Sequence, residues 1–262
     1  MSENLPVTFK SYRDFRGYVI NLSREEWKYV EARRKLTSLG FSNIVRWEAT
    51  DYKKEDVNAE IRRMGATRLE RFVNDAEIAL VLSHCRIWAN FLASSEQYCL
   101  VFEDDVIGVE NFEDLADFND LSYGDFDILC FGGIYLDMPS VYGHRNYVSL
   151  SQAKERCGNK SYIKEASFWQ SHAYLISRKG AYKALFNYPA WASLEEFRQP
   201  QIDNYIANFK GLDVVLASNQ QIGNVYRYNL HEKDVWNYGP LAERFCGILL
   251  QESGYQSSIQ SV

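Results

Sequence analysis

The sequence is short of several features that would settle its class at once. Its five cysteines, at positions 85, 99, 130, 157 and 246, form no C-x-x-C pair, so neither a zinc knuckle nor a disulfide framework is indicated. Three of them sit inside apolar segments and read as core thiols, which fits a reducing cytoplasm. Prolines are few, five in 262 residues, and no Pro- or Gly-rich linker, repeat or low-complexity tract divides the chain. One domain over residues 1–262 is therefore expected, near the upper size of a single compact unit. No apolar stretch approaches the ~20 residues needed to cross a bilayer. The polar start, Met1-Ser-Glu-Asn-Leu-Pro, lacks the basic-then-apolar pattern of a secretion signal. Positive charge is not in excess either, the net charge being −6. A general nucleic-acid binder needs a basic face that displaces counterions, so no nucleic-acid partner is expected.

What the chain does have is apolar material in an ordered pattern. Hydrophobic residues make up 46%, with 18 Tyr, 15 Phe and 6 Trp, enough for a sizeable core. Tyr18 to Leu22 is a β-branched run ending in polar residues, and Glu25 to Leu39 follows with helical spacing. Trp27, Val30, Leu36 and Leu39 are expected on its apolar side, and Gly40 stops it. Asn43 to Ala49 reads as a second strand closing on Thr50-Asp51. Asn74 to Ser94 is a helix with Asn74 as N-cap and Glu77 three residues on, a capping-box pattern. Tyr98 to Phe102 and Phe126 to Phe131 are unalternated apolar strands, the second ending at Gly132-Gly133. Beyond these come a strand-helix unit from Ser171 to Leu185, a helix near Gln201 to Phe209, a strand from Leu212 to Ala217, and an aromatic, polar tail.

Continuous apolar strands separated by helices indicate an α/β domain with a Rossmann-like, mostly parallel sheet covered on both faces. Ligands in such sheets bind beyond the carboxyl ends of the strands. Asn21, Asp51, Glu103 to Asp105 and Gly132 all follow strand ends and are expected to converge on one edge.

Glu103-Asp104-Asp105 is the sharpest feature. Three carboxylates behind a buried strand repel one another unless a cation neutralises them. Mg²⁺ and Mn²⁺ take carboxylate oxygens and bridge to phosphates with only one or two protein ligands. A nucleotide-sugar donor needs such an ion, because negative charge builds on the diphosphate as the anomeric bond breaks. Residues 103 and 105 share a side if the backbone stays extended. A solvated acidic turn is the other reading.

Four segments together resemble family-25 glycosyltransferases, which include lipooligosaccharide and collagen galactosyltransferases. They are Val19-Ile-Asn-Leu22 with Arg24, Asp75 to Trp88 with its Ser83-His84 pair, Tyr98 to Val106, and Ala173 to Ala181. The chain departs from the family pattern at Ala76 and at Ala79-Leu80, where the family has Gly and Gly-Cys, and at Glu25-Glu26-Trp27 after Arg24. The resemblance implies a GT-A fold, a donor-binding half over about 15–135 merged with an acceptor-binding half over about 136–262, a UDP-sugar donor, Mn²⁺ or Mg²⁺, and inversion at the sugar carbon. UDP-galactose is the first donor implied and UDP-glucose the second.

On that basis Asp105 is the expected metal ligand with Glu103 as helper, and Asp104 is expected to turn back toward the protein within the donor site. Asn21, Arg24 and Asp51 stand where uracil, ribose or phosphate would be read; strand-end polar residues and helix caps have the same composition. Ser83 and His84 read as a site-lining pair, since a polar pair interrupts an apolar helix, or else as a hydrogen-bonded core pair. His231 matches by position the C-terminal histidine ligand of many GT-A enzymes. Asp203, in Pro200 to Tyr205, is the candidate base for the acceptor hydroxyl; a carboxylate favoured by the helix dipole is its other reading. Trp169, Trp191 and Trp236 offer a sugar platform, with core packing the default for each. The expected partners are a nucleotide sugar and a glycan acceptor, with peripheral association to membrane-bound acceptors. A magnesium-dependent phosphatase or nucleotidyltransferase would also place acids behind a strand, but such phosphatases carry D-x-D-x-T on the first strand, where this chain has Asn21-Leu-Ser. A non-catalytic sugar-binding protein would suit the aromatics without needing the carboxylates.

Overall fold

The computed structural model describes residues 12–67, 74–108, 126–131, 134–135, 147–156, 168–169, 172–193, 201–217 and 249–251. Strands β1 (Gly17–Asn21), β2 (Ile44–Glu48), β3 (Tyr98–Glu103), β5 (Ile128–Cys130), β7 (Tyr147–Ser149), β9 (Ala173–Ser177) and β10 (Val214–Ala217) form one sheet in the order β2-β1-β3-β9-β5-β10-β7. Two smaller pairs join β4 (Val106–Gly108) to β11 (Leu249–Gln251) and β6 (Ile134–Tyr135) to β8 (Phe168–Trp169). Strands from both sequence halves therefore alternate within one sheet.

The expected α/β class and Rossmann-like sheet are the ones observed. β1, β2, β3, β5 and β10 run in one direction, while β9 and β7 pair antiparallel with their neighbours. The sequence assigned no direction to strand β9, which runs against its neighbours. Its reversal, wedged between β3 and β5, brings its first residue level with the last turn of β3, Phe102 facing Ala173.

Side-chain alternation fixes the two faces. Tyr18 and Ile20, Cys99 and Val101, Tyr174 and Ile176, and Val214 and Leu216 pack to one side. Val19, Leu100, Phe102, Leu175 and Val215 pack to the other. The first face is covered by α2 (Val57–Arg63), α3 (Asp75–Ala93), α5 (Arg178–Ala192) and α6 (Ile202–Asn208). The opposite face carries α1 (Glu26–Ser38), which buries Ala32 and Leu36. A short helix, α4 (Leu150–Arg156), follows β7.

On α1, Leu36 and Leu39 face the core as expected, but two of the four residues assigned to the apolar side do not. Trp27 and Val30 are 53% and 61% exposed. Ala32 and Leu36 lie four apart on one stripe, and at 100° per residue Val30 falls far round the helix from both. Gly40 ends the helix as expected: it has φ +88°, and the Phe41 amide returns to the Leu36 carbonyl at 3.1 Å. Helix α3 is capped by Asn74, whose Oδ1 accepts from the Glu77 amide at 3.0 Å. Cys85, Cys99 and Cys130 are buried free thiols, and burial pushes each thiol pKa up.

The sheet end opposite the acidic residues is pinned by Asp127, which is fully buried. Its carboxylate takes the Lys183 ammonium at 2.5 Å and the Asp213 amide at 2.9 Å, and its carbonyl accepts from the Ser177 amide at 2.9 Å. Helix α5 can lie this close only because residue 180 is glycine: an added Cβ would stand 2.3 Å from the Asp127 carbonyl oxygen. Gly180→Ala is expected to lower stability by about 1–3 kcal/mol through overpacking, read as a lower urea midpoint at unchanged slope. An unchanged midpoint would mean that α5 and β5 separate freely there.

Candidate active site

Parallel register brings β1, β2 and β3 to a common end, with Asn21 opposite Glu48 and Ile20 opposite Glu103. Beyond that end lies a cleft that opens to solvent. Its walls take Asn21, Leu22, Arg24 and Lys28 from the end of β1 and the turns after it, and Thr50 and Tyr52 from behind β2. Helix α3 contributes Ala76, Ala79, Leu80 and Ser83, and all of Glu103, Asp104 and Asp105 line the remaining side. Ala76, Ala79 and Leu80 are the positions at which the helix departs from the family pattern, so those departures fall on the wall of the cleft.

Asn21 is buried and its amide is fully engaged. Its Nδ2 donates to Asp104 Oδ2 at 2.6 Å and to the Glu25 carbonyl at 2.9 Å, and its Oδ1 accepts from Arg46 Nε at 2.9 Å. It thus ties the ends of three strands together, a positioning role. Arg46, which no sequence pattern singled out, completes this arrangement from inside β2.

Arg24 and Asp51 form a pair at 2.5 Å. Burial raises the Asp51 pKa, but the Arg24 hydrogen bond, the Lys53 amide and the charges of Arg24 and Lys54 outweigh it, holding the carboxyl below its ordinary value. Asp51 stands behind Thr50 and Tyr52, so its neighbours line the cleft while it anchors Arg24.

The acidic segment is not extended throughout. Strand β3 ends at Glu103, and Asp104-Asp105 turn into β4, so the expected alternation of 103 and 105 is replaced by a turn that brings all three residues to the cleft. Burial raises the Asp104 pKa, opposed by the Asn21 hydrogen bond and the Lys28 charge. Mn²⁺ and Mg²⁺ need only one or two protein carboxylates where a diphosphate supplies further oxygens. Among the described residues no group of three or more His, Cys, Asp or Glu side chains is placed to hold a metal ion, the 103–105 triplet included.

Ser83 links the α3 wall to the strand ends: its Oγ accepts from the Thr50 amide at 2.9 Å and donates to the Ala79 carbonyl at 2.8 Å. The next residue, His84, is fully buried and hydrogen-bonded to Tyr174 Oη at 2.8 Å, as in the core-histidine alternative. Asp203 lies outside the walls of this cleft; its Oδ1 accepts from the Asn204 amide at 2.8 Å. The start of α6 is nonetheless close to the start of α3, since Gln201 Nε2 donates to Glu77 Oε1 at 2.5 Å. Trp191 is buried against Tyr188 and Tyr205, a core position. Gly132, His231 and Trp236 lie outside the described residues, and Trp169 lies in β8. His172, which the sequence did not flag, is buried at the same sheet edge, its carbonyl accepting from the Glu103 amide at 2.8 Å. Reversal of β9 is what brings it there, and strand direction is not written in residue patterns.

A family model matches residues 15–196, that of "Glycosyltransferase family 25 (LPS biosynthesis protein)". The chain belongs to glycosyltransferase family 25. The matched span holds both the cleft and all three acidic residues, and the mixed sheet with helices on both faces agrees with the GT-A type that the resemblance implied. A comparison with curated protein sequences finds no match. Among solved structures, the apo form of mouse xyloside xylosyltransferase 1 is similar at TM-score 0.46 and 11% identity, over 92% of this chain and 98% of that one. A glycosyltransferase involved in glycosylation of the major capsid of PBCV-1 gives 0.41 and 8%, over 92% and 93%. The apo-form glycosyltransferase GlyE of Streptococcus pneumoniae TIGR4 gives 0.41 and 13%, over 92% and 55%. With TM-scores below 0.5, these likenesses decide nothing about the chemistry of this chain.

The buried imidazole makes a prediction for this family member. Burial lowers the His84 pKa to about 3, from an ordinary 6.5. Between those values the unfolded chain binds a proton that the folded chain refuses, so His84 costs the fold nothing above pH 6.5 and stability falls as pH drops below it. The limiting slope is about 1.4 kcal/mol per pH unit. Chemical denaturation is expected to show wild type losing stability from about pH 6.5 downward, approaching this slope near pH 5, beyond any loss in His84→Met. Equal slopes in the two proteins would assign the loss to other groups.

Proposed function

We propose that this family-25 member transfers a hexose, galactose first and glucose second, from a UDP-sugar to a hydroxyl of a glycan acceptor, with inversion and with Mn²⁺ or Mg²⁺. One observation carries the reading: in a chain of a glycosyltransferase family, the acidic end of β3 and the polar ends of β1 and β2 line a single cleft. Asp105, helped by Glu103, would hold the cation. Arg24, set by Asp51, and Lys28 supply positive charge on the β1 side, where a diphosphate or ribose would lie. Thr50 offers a hydroxyl and Tyr52 a flat ring at the β2 side, suited to a base or ribose. When bound, the cation offsets negative charge that develops on the departing diphosphate. The acceptor oxygen forms its bond to the sugar C1 as the C1–O bond to the diphosphate breaks. The diphosphate leaves with that electron pair, and the acceptor proton passes to a base on the acceptor side.

Asp203 is the base we assign. It lies in the first turn of α6, beside the start of α3, in the half of the chain expected to bind the acceptor. The donor-site residues and Asp203 then have separate signatures. The family description points to lipopolysaccharide glycans as the acceptor class, and a cytoplasmic enzyme meeting membrane-bound acceptors at the membrane surface is the setting we propose. Among the described residues no helix is long and apolar enough to cross a membrane.

A panel of nucleotide sugars, assayed for nucleotide release with Mn²⁺ and with excess chelator, tests the reading. UDP-galactose with Mn²⁺ should give the highest release, and Asp105→Asn should nearly abolish it while the melting temperature holds. Release that is equal in chelator, or near-normal turnover of Asp105→Asn at saturating Mn²⁺, would overturn the metal assignment. GDP-sugar use without UDP-sugar use would move the chain to another donor class.

The acceptor-side base gives a second test. Asp203→Asn keeps hydrogen bonding but cannot take a proton, so turnover should fall ~10²–10⁴-fold at unchanged UDP affinity. Loss of about 0.5–1 kcal/mol of stability with turnover kept would make Asp203 a helix-dipole residue instead.

A further inference from the structure

The Glu103 carboxylate has a neighbour within the core that the proposed chemistry does not use. Among the described residues His84 Nε2 is buried without a hydrogen bond, and it lies 3.9 Å from Glu103 Oε1. The other ring nitrogen is at one end of a chain of buried groups. Trp88 Nε1 donates to Tyr174 Oη at 3.0 Å, and Tyr174 Oη lies 2.8 Å from His84 Nδ1. All three side chains are fully buried, and the His84 and Tyr174 rings stack with centroids 5.8 Å apart.

The proton positions follow from donor and acceptor counting. The indole N–H can only donate, so the tyrosine oxygen accepts from Trp88. Its own O–H then needs an acceptor, and His84 Nδ1 stands at hydrogen-bond distance. An imidazole that accepts at Nδ1 and is neutral carries its proton on Nε2. The opposite tautomer would leave the tyrosine proton without an acceptor in the core and turn a bare nitrogen lone pair toward a carboxylate. Both are costly in a buried site.

We infer that His84 is a positioning residue for Glu103: Trp88 and Tyr174 lock it in the Nε2–H tautomer, and that N–H holds the Glu103 carboxylate in the orientation in which it faces the cleft. The 3.9 Å separation is about 1 Å longer than an ordinary hydrogen bond, so a small approach of the two groups makes the bond. The inference rests on the proposed reading that Glu103 helps to hold a divalent cation. Carboxylate ligands are oriented by outer hydrogen bonds, and loss of such a partner typically weakens metal binding ~10–100-fold. This explains why a polar residue occupies the inner side of α3 at 84, one step from the wall residue Ser83: His84 serves the cleft from behind.

Two measurements test it. In wild type, the side-chain nitrogens of ¹⁵N-histidine-labelled protein report the tautomer directly, and only four histidines are present. Protonated Nε2 at residue 84 is expected; protonated Nδ1 overturns the inference whether or not any variant folds. The second measures Mn²⁺ affinity in the presence of UDP, by the signal of free Mn²⁺, for wild type, His84→Gln, His84→Met and Tyr174→Phe, alongside melting temperatures. His84→Met should bind Mn²⁺ ~10-fold or more weakly. His84→Gln, which can keep an N–H near the same place, should stay within ~3-fold of wild type, and Tyr174→Phe should fall between them. If wild type requires Mn²⁺ for UDP binding but folded His84→Met binds it equally well, the inference fails and the proposed function stands. If wild-type UDP affinity is the same in chelator, the metal reading fails and the role of His84 fails with it.

Discussion

The buried amide of Asn21 is the interaction on which the cleft depends. A strand end normally frees its side chains to solvent, yet here one amide meets a carboxylate, a guanidinium and a backbone carbonyl from three different segments. Each bond is made in a place where an unmet polar group would cost about 1–3 kcal/mol. The result is that the ends of β1, β2 and β3 have one relative position. Arg46 is drawn across from β2, Asp104 is turned back from the acidic segment, and Glu103 and Asp105 remain to face the cleft. An apolar residue at 21 would take this partner from the half-buried Asp104 and Arg46. The acidic turn would then be free to move away from the ends of β1 and β2.

Sheet architecture supplies the frame for that amide. Continuous apolar strands can be buried on both faces only if helices cover both, and the alternation of side chains between the two core clusters follows from this. Asp127 and Gly180 fasten the far end, where helix, strand and backbone approach too closely for any side chain at 180. The near end is left for polar residues. A division of this kind, with one edge packed for stability and the other lined for chemistry, is the general arrangement of open α/β sheets.

Much of this was legible in the sequence. Apolar runs ending in Asn21, Asp51 and Glu103 marked three strand ends, and those ends do meet. Asn74 and Gly40 marked helix boundaries through local capping chemistry, which depends on a few neighbouring residues and so survives any tertiary context. Other features were not legible. Strand direction depends on which neighbours are available in three dimensions, so the reversal of β9, and with it the placing of His172 and Tyr174, had no sequence signal. Nor did Arg46, an arginine inside a strand whose role exists only once Asn21 lies beside it. On α1, Leu36 and Leu39 pack toward the core as expected, but Trp27 and Val30 do not, because Ala32, a small residue without a strong apolar signal, marks the buried stripe with Leu36. Identity of a residue as polar was a good guide at position 84, but its function depends on Tyr174, which is distant in sequence.

The central claim is that the ligand of this glycosyltransferase-family chain enters the cleft at the ends of β1, β2 and β3. Hydrogen–deuterium exchange with UDP-galactose and Mn²⁺, against protein alone, tests that most directly. The account predicts slowed exchange over residues 20–24, 49–52, 76–83 and 103–105, the segments that line the cleft. Protection that spares these and falls instead on a separate cavity, between Ser149-Leu150 and Asn208 to Val215, would contradict it.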